Sequence, residues 1–126
     1  MTVVLDASAL LAYLQDEPGS ETVDAVLAES VMSSVNWAEV IQKTVAAGVN
    51  SDGMLDELQA LGMKIESFTI ENAQLTGRLW KQTRQEGLSL GDRACLSLGI
   101  SLKVPILTGD RIWAALDLPV YIQVIR

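Results

Sequence analysis

Apolar and polar positions along this chain change period repeatedly, from short strand-like runs to the three-to-four spacing of helices. Thr2 to Leu5 is a β-branched apolar run that reads as a buried strand. Asp6 ends it. Leu10, Leu11 and Leu14 then recur at helical spacing and predict a helix from about Ala7 to Gln15. Pro18-Gly19 marks a turn, and Val23, Val26 and Leu27 mark a second, short helix. Val31 to Val35 predicts a second strand, followed by a helical stripe of Asn36, Trp37, Val40, Ile41, Thr44 and Val45 that stops near Gly48. Met54, Leu55, Leu58 and Leu61 predict a helix closed by Gly62, and Met63 to Phe68 alternates like a third strand. A long helix is expected from about Ile70 to Gln85, ended by Gly87. Ser89 opens another, apolar on nearly all sides as a central helix should be. Val104 to Leu107 is a strand of buried type, Thr108-Gly109-Asp110 leads into a short helix through Trp113, and Val120 to Ile125 is the last strand.

Strands alternating with helices imply an α/β fold in three layers, with a mainly parallel central sheet and helices on both faces. The 126 residues suit one domain over residues 1–126, with no internal repeat, low-complexity tract or linker to divide it. Hydrophobic residues make up 49%, enough for a full core. No apolar run reaches the roughly eighteen residues of a membrane helix, and Asp6 interrupts the first one, so neither a membrane span nor a signal peptide is expected. The single cysteine, Cys95, lies in an apolar stretch and reads as a buried thiol, consistent with a cytoplasmic protein.

Composition narrows the chemistry. There is no histidine, which removes Ser-His-Asp and Cys-His catalysis and His-ligated zinc. Nine Lys and Arg stand against sixteen Asp and Glu, a net charge of −7. Nucleic-acid binders are usually basic, so a nucleic-acid partner requires metal ions to bridge acid to phosphate.

Four acids fall at the ends of elements. Asp6 ends the first strand, Glu39 and Asp92 lie in first turns of helices, and Asp110 lies just past the strand Val104–Leu107. In a parallel α/β sheet the strand carboxyl ends and the following helix starts share one edge, where ligands bind. Each acid also has a structural reading. Asn36-Trp37-Ala38-Glu39 and Ser89-Leu90-Gly91-Asp92 both resemble capping boxes, Asp110 suits a helix cap, and Asp6 suits a turn. If the four converge, their repulsion favours a divalent cation. Oxygen-only ligands select a hard ion, Mg²⁺ or Mn²⁺. Such a site activates water against a phosphodiester, with two metals sitting about 3.5–4 Å apart where two are used.

Asp6-Ala7-Ser8-Ala9, Ser34-Val35-Asn36-Trp37-Ala38-Glu39, Gly91-Asp92-Arg93-Ala94-Cys95-Leu96 and Leu107-Thr108-Gly109-Asp110-Arg111 resemble, in order, the motifs of PIN-domain ribonucleases, and most closely those of VapC toxins of type II toxin–antitoxin modules. The resemblance runs over essentially the whole chain. It implies a metal-dependent endoribonuclease giving 5′-phosphate and 3′-hydroxyl products, a cognate VapB-like antitoxin and a homodimer. Asp6, Glu39, Asp92 and Asp110 fall on its acidic positions, and Ser8 and Thr108 on the supporting hydroxyl positions. Gly109 stands where an alanine is common. By this resemblance Asp6, Asp92 and Asp110 would ligate metal, Glu39 would ligate metal or orient water, and Gly91 would let the backbone approach the site closely.

Other features carry two readings. Arg93 and Arg111 each follow a proposed ligand and suit either RNA phosphates or salt bridges within the protein. Lys43, four residues after Glu39, suits a helix ion pair that fails if Glu39 turns inward. Arg78, Lys81 and Arg84 give the long helix a basic, solvated side. Trp37, Trp80 and Trp113 fall on helical stripes and are expected in the core or an interface, with base stacking as the second reading. Asp117 is a loop acid that would add to the site. Two other functions compete: a catalytically silent module of the same fold, or an aspartate phosphatase or receiver domain. The phosphatase needs a second Asp at position 8, where Ser8 stands. A receiver needs an acidic pair beside the first strand and a lysine after a late strand, but Asp6 has no adjacent acid and Lys103 precedes its strand.

Overall fold

The computed structural model describes residues 1–126. Five short strands, β1 (Val3–Leu5), β2 (Ser30–Ser33), β3 (Lys64–Glu66), β4 (Ile106–Thr108) and β5 (Ile122–Val124), form one sheet in the order β3-β2-β1-β4-β5. Every pairing is parallel, so the mainly parallel sheet expected from the alternation is parallel throughout. Val4 sits opposite both Val31 and Ile106, which fixes the register at the centre.

That register explains why the central strands are apolar on both sides. Val3, Leu5, Met32 and Leu107 point to one face, where they meet helices α1 (Ala7–Leu14), α2 (Ser20–Val26), α3 (Ser34–Ala46) and α4 (Met54–Ala60) through Leu10, Leu11, Val23, Val40 and Leu58. Val4, Val31 and Ile106 point to the other. There they meet Leu79, which joins α5 (Ile70–Arg78) to α6 (Trp80–Thr83), together with Cys95, Leu96 and Leu98 of α7 (Leu90–Leu102), and Trp113. Central parallel strands covered on both faces read as continuous apolar runs for this reason. The edge strand β3 exposes Lys64 and Glu66, which blunts it against pairing with another chain.

Three elements depart from the sequence reading. The second strand stops at Ser33, whose hydroxyl accepts the Val35 N–H at 3.2 Å and starts α3, so a serine cap overrides the β-branched Val35. Asn36 is therefore inside the helix and is not its cap. The single long helix from Ile70 to Gln85 is broken at Leu79, followed by α6 and a 3₁₀ turn over Arg84–Glu86. The segment through Trp113 is likewise a 3₁₀ turn, Arg111–Ala115.

From β1 the chain winds outward to β2 and β3, then returns to the far side of β1 to lay down β4 and β5. The winding direction reverses between β1 and β4, and this switch point leaves a crevice beyond their carboxyl ends. Asp6 and Gly109-Asp110 follow those two strands directly.

One backbone approach on the opposite side tests the packing. Gly62 has φ +108°, and a Cβ there would stand 2.7 Å from Cα and the carbonyl oxygen of Ala28. Gly62→Ala is expected to destabilise the protein by more than about 1 kcal/mol, since both the conformation and the space exclude it. A urea midpoint equal to that of the parent chain would show that the two backbones can separate freely.

Candidate active site

Asp6 is the most constrained of the four acids. It caps α1, and its Oδ1 accepts the Ala9 N–H at 2.9 Å and the Ser8 hydroxyl at 2.7 Å. Its Oδ2 accepts the Thr108 hydroxyl at 2.8 Å, a bond that ties the end of β1 to the end of β4. The two hydroxyls lie 3.4 Å apart. Ser8 also accepts the Gly109 N–H at 2.8 Å, and Thr108 accepts the Asp110 N–H at 3.1 Å. Asp6 and its two hydroxyl partners thus form one hydrogen-bonded seam across the switch point.

Three hydrogen bonds would ordinarily hold a carboxyl at low pKa. Here burial outweighs them, and with Asp92 nearby the Asp6 carboxyl is pushed up to about 6. No cation compensates. The ion pairs in the molecule join the amino terminus to Glu29 and Arg126 to Glu17, and neither includes one of the four candidate acids.

Glu39 enters from α3. Its Oε1 accepts the Asn36 amide at 2.7 Å, and the same amide donates to the Gly91 carbonyl at 2.9 Å. Asn36 is almost completely buried, and its Oδ1 has no hydrogen-bond partner. It thus clamps the first turns of α3 and α7 together. The approach needs a glycine: a Cβ on Gly91 would lie 2.6 Å from the Glu39 Oε1. Glu39 faces inward, and the helix pair with Lys43 does not form.

Asp92 completes the capping box expected from the sequence. Its Oδ2 accepts the Ser89 N–H at 2.9 Å and its own N–H donates to the Ser89 hydroxyl at 3.1 Å. Asp6, Asp92 and Glu39 all bear on the buried Cys95 thiol one turn further along α7. Burial first, then these three charges, push that thiol well above its ordinary value. Asp110 stands apart from this trio. It is exposed, its Oδ1 caps the 3₁₀ turn by accepting the Ile112 N–H at 3.1 Å, and it reaches Asp6 only through Thr108.

Asp6, Glu39 and Asp92 therefore gather at the carboxyl edge of the sheet, with Asp110 on its rim. As placed, no three acidic side chains enclose a point where one ion would sit. The donor set nevertheless suits a hard divalent cation: oxygens only, partly buried, uncompensated in charge, with an orphaned amide oxygen beside them. Capping accounts for one hydrogen bond at each aspartate. It does not account for the burial of Asp6 or for its closeness to Asp92.

The remaining candidates are dispersed. Arg93 turns away from the acids, and its Nη1 donates to the Thr76 carbonyl at 2.9 Å. Arg111 is exposed beside Asp110, with its Nε donating to the Arg126 carbonyl at 3.0 Å. Asp117 is an exposed loop residue without a bond to the site. Trp113 is fully buried and Trp37 packs on the core, whereas Trp80 lies exposed beneath the Arg84 guanidinium, so of the two positions its stripe allows, core or interface, it is not in the core. Two roles here were not read from the sequence. Asn36 was read as a helix cap three residues before Glu39, and its side chain instead clamps Glu39 and the Gly91 carbonyl from inside the helix. Arg126 had no signal, because only the pairing of β5 with β4 brings it to Gly109.

The fold is similar to that of several solved structures. The chain superposes on a chain of the VapBC2 complex from Rickettsia felis, bound to a DNA fragment from its promoter, with TM-score 0.69, 14% identity and full coverage of both chains. FitAcB from Neisseria gonorrhoeae gives TM-score 0.68 at 17% identity, covering 95% of each chain. VapBC-5 from Mycobacterium tuberculosis gives 0.60 at 22% identity, covering 99% of this chain and 98% of that one. No curated protein matches in sequence. The family model of the PIN domain, however, matches residues 3–118, and on that span the chain belongs to the PIN domain family.

Proposed function

We propose that this protein is a VapC-type toxin: a divalent-metal-dependent endoribonuclease held in check by a VapB-like antitoxin. The observation that carries the reading is the buried, uncompensated Asp6 at the switch point, with Asp92 and Glu39 beside it. Asp6, Asp92 and Asp110 would hold Mg²⁺ or Mn²⁺, with Glu39 as a further ligand or as the group that orients water. When bound, the metal supplies Lewis-acid stabilisation of charge on the phosphodiester and makes water easier to deprotonate. The chain's own residues do the positioning. Ser8 and Thr108 fix both oxygens of Asp6, Asn36 aims Glu39, and Gly91 leaves room for it. Asp92 keeps its Oδ1, and Asp110 its Oδ2, clear of their capping bonds.

The antitoxin and homodimer belong to the same proposal. Similar folds occur in a toxin–antitoxin complex from Klebsiella pneumoniae and in VapBC-5, a member of the VapBC family of toxin–antitoxin systems. An apolar groove between α1, α3 and α4, lined by Leu11, Leu14, Ala47, Val49 and Met54, suits an amphipathic segment of such a partner. No helix here is long and apolar enough to cross a membrane, and the buried free thiol of Cys95 fits the cytoplasmic location that goes with this reading.

The test is cleavage of an end-labelled RNA pool by antitoxin-free protein in Mg²⁺ or Mn²⁺ against EDTA, beside Asp92→Asn. Asparagine still accepts the Ser89 N–H, so the variant should fold normally and lose cleavage. Cutting by Asp92→Asn at the parent rate would remove Asp92 from the site. A folded, metal-loaded parent that cuts nothing would favour a catalytically silent module of the same fold, in which the aspartates serve only as helix caps.

A further inference from the structure

An acidic site that acts on RNA needs cations nearby to hold the strand. Of the nine lysines and arginines, most are elsewhere or occupied. Lys64 starts β3, and Lys103 precedes β4, both at the opposite edge of the sheet. Lys43 is in the last turn of α3. Arg84 covers Trp80, and Arg93 is bonded to the Thr76 carbonyl.

Arg126 is different. The pairing of Thr108 with Val124 and the bond from the Ile125 N–H to the Thr108 carbonyl at 2.9 Å deliver it to the carboxyl edge. Its Nε donates to the Gly109 carbonyl at 3.1 Å. The guanidinium lies across Gly109 itself, so that a Cβ there would sit 3.0 Å from Cζ, Nε and Nη2. An alanine at position 109 would crowd it. Gly109 and Arg126 thus fit as a pair. The Gly109 peptide is held on one side by Ser8, a direct partner of Asp6, and on the other by Arg126. Arg111 joins them by donating to the Arg126 carbonyl. The guanidinium of Arg126 has one ion pair, with Glu17 at 3.5 Å, long and exposed.

We propose that Arg126, seated on Gly109 and paired with Arg111, binds a backbone phosphate of the RNA flanking the one that is cut. This rests on the nuclease reading above. A guanidinium anchored through Nε keeps its Nη groups for an anion, and a phosphate competes well against one exposed carboxylate. The pair gives an otherwise acidic edge one basic flank, so the strand would run over β4 and β5, away from α3.

The experiment compares the parent, Arg126→Gln and Arg126→Lys on a single-stranded RNA that the parent cuts, in Mn²⁺, from about 50 to 200 mM salt. Arg126→Gln keeps a donor for Gly109 but removes the charge. It should raise KM about tenfold with kcat little changed, and flatten the slope of log(kcat/KM) against log salt by about 0.7. Arg126→Lys should keep the slope and recover part of the KM. If Arg126→Gln melts earlier yet keeps the parent KM and slope, Arg126 is only a tie for β5 and the proposal falls. A parent protein that neither binds nor cuts RNA sinks the nuclease reading, and this proposal with it. A parent that cuts while both variants match it overturns the proposal alone.

Discussion

Asp6→Asn is expected to abolish RNA cleavage and, in metal-free protein near neutral pH, to make the fold more stable. The second effect follows from the sign of the Asp6 shift. Its carboxyl titrates at about 6 when folded and near 3.8 when exposed. At pH below about 4 both states hold the proton and the buried carboxyl costs nothing extra. As pH rises toward 6 the unfolded chain gives up its proton first, so stability drains away. Above 6 the loss is complete, about 3 kcal/mol for a shift of this size. Asparagine carries no such penalty and still accepts from Ala9 or Thr108. The difference in urea midpoint between variant and parent, both in EDTA, should therefore widen from pH 4 to pH 7. A constant difference would show that Asp6 is not forced to ionise at a cost. Added Mn²⁺ should narrow it again by stabilising only the parent. The expected loss of cleavage is a hundredfold or more, on the order of losing one charge-stabilising group.

Gly91→Ala separates shape from charge. The new methyl would overlap the Glu39 carboxylate, the mobile end of a side chain on α3, so the fold can accept it by letting Glu39 swing away. Alanine also favours the helix more than glycine does. Stability should stay near that of the parent, while cleavage falls about a hundredfold, the scale of a displacement near 1 Å at a reacting centre. The measurement is kcat beside the thermal midpoint. A variant that loses neither would mean that Glu39 does not act from its place beside Asn36. One that unfolds would mean that the α3–α7 contact is rigid, and Asn36→Ala would then be the informative change.

The sequence carried the architecture because period and breakers both pointed the same way. Apolar runs at Val3–Leu5 and Ile106–Leu107 fit two-sided burial, and each is followed directly by the residues of the site. What it did not carry was competition between nearby signals. Ser33 wins the start of α3 because its hydroxyl meets an orphan N–H, and no period count sees that bond. The break at Leu79 does have a signal, Gly77 two residues before it, but the apolar stripe running on past that glycine masks it; Leu79 itself is drawn into the core beside Trp113. The acids were legible as element ends. Asp110's separation from the other three was not, since it depends on the 3₁₀ turn that its own side chain caps. Arg126 illustrates the limit most plainly: seventeen residues separate it from Gly109, and only strand register joins them.

On the nuclease reading, the order of the strands also governs when the molecule becomes active. β1 is made first but lies in the middle, and its partner on one side, β4, is made nearly last. Until residues 106–110 dock, Asp6 lacks Thr108, Ser8 lacks the Gly109 N–H, and the crevice has only one wall. A ribosome-bound chain of eighty or ninety residues would already hold Asp6 and Glu39, yet it could not assemble them into a cutting centre. Long-range closure of this kind is slow compared with local helix formation. The cell would therefore meet an active enzyme only as a finished one, leaving the interval of synthesis for a partner to be waiting.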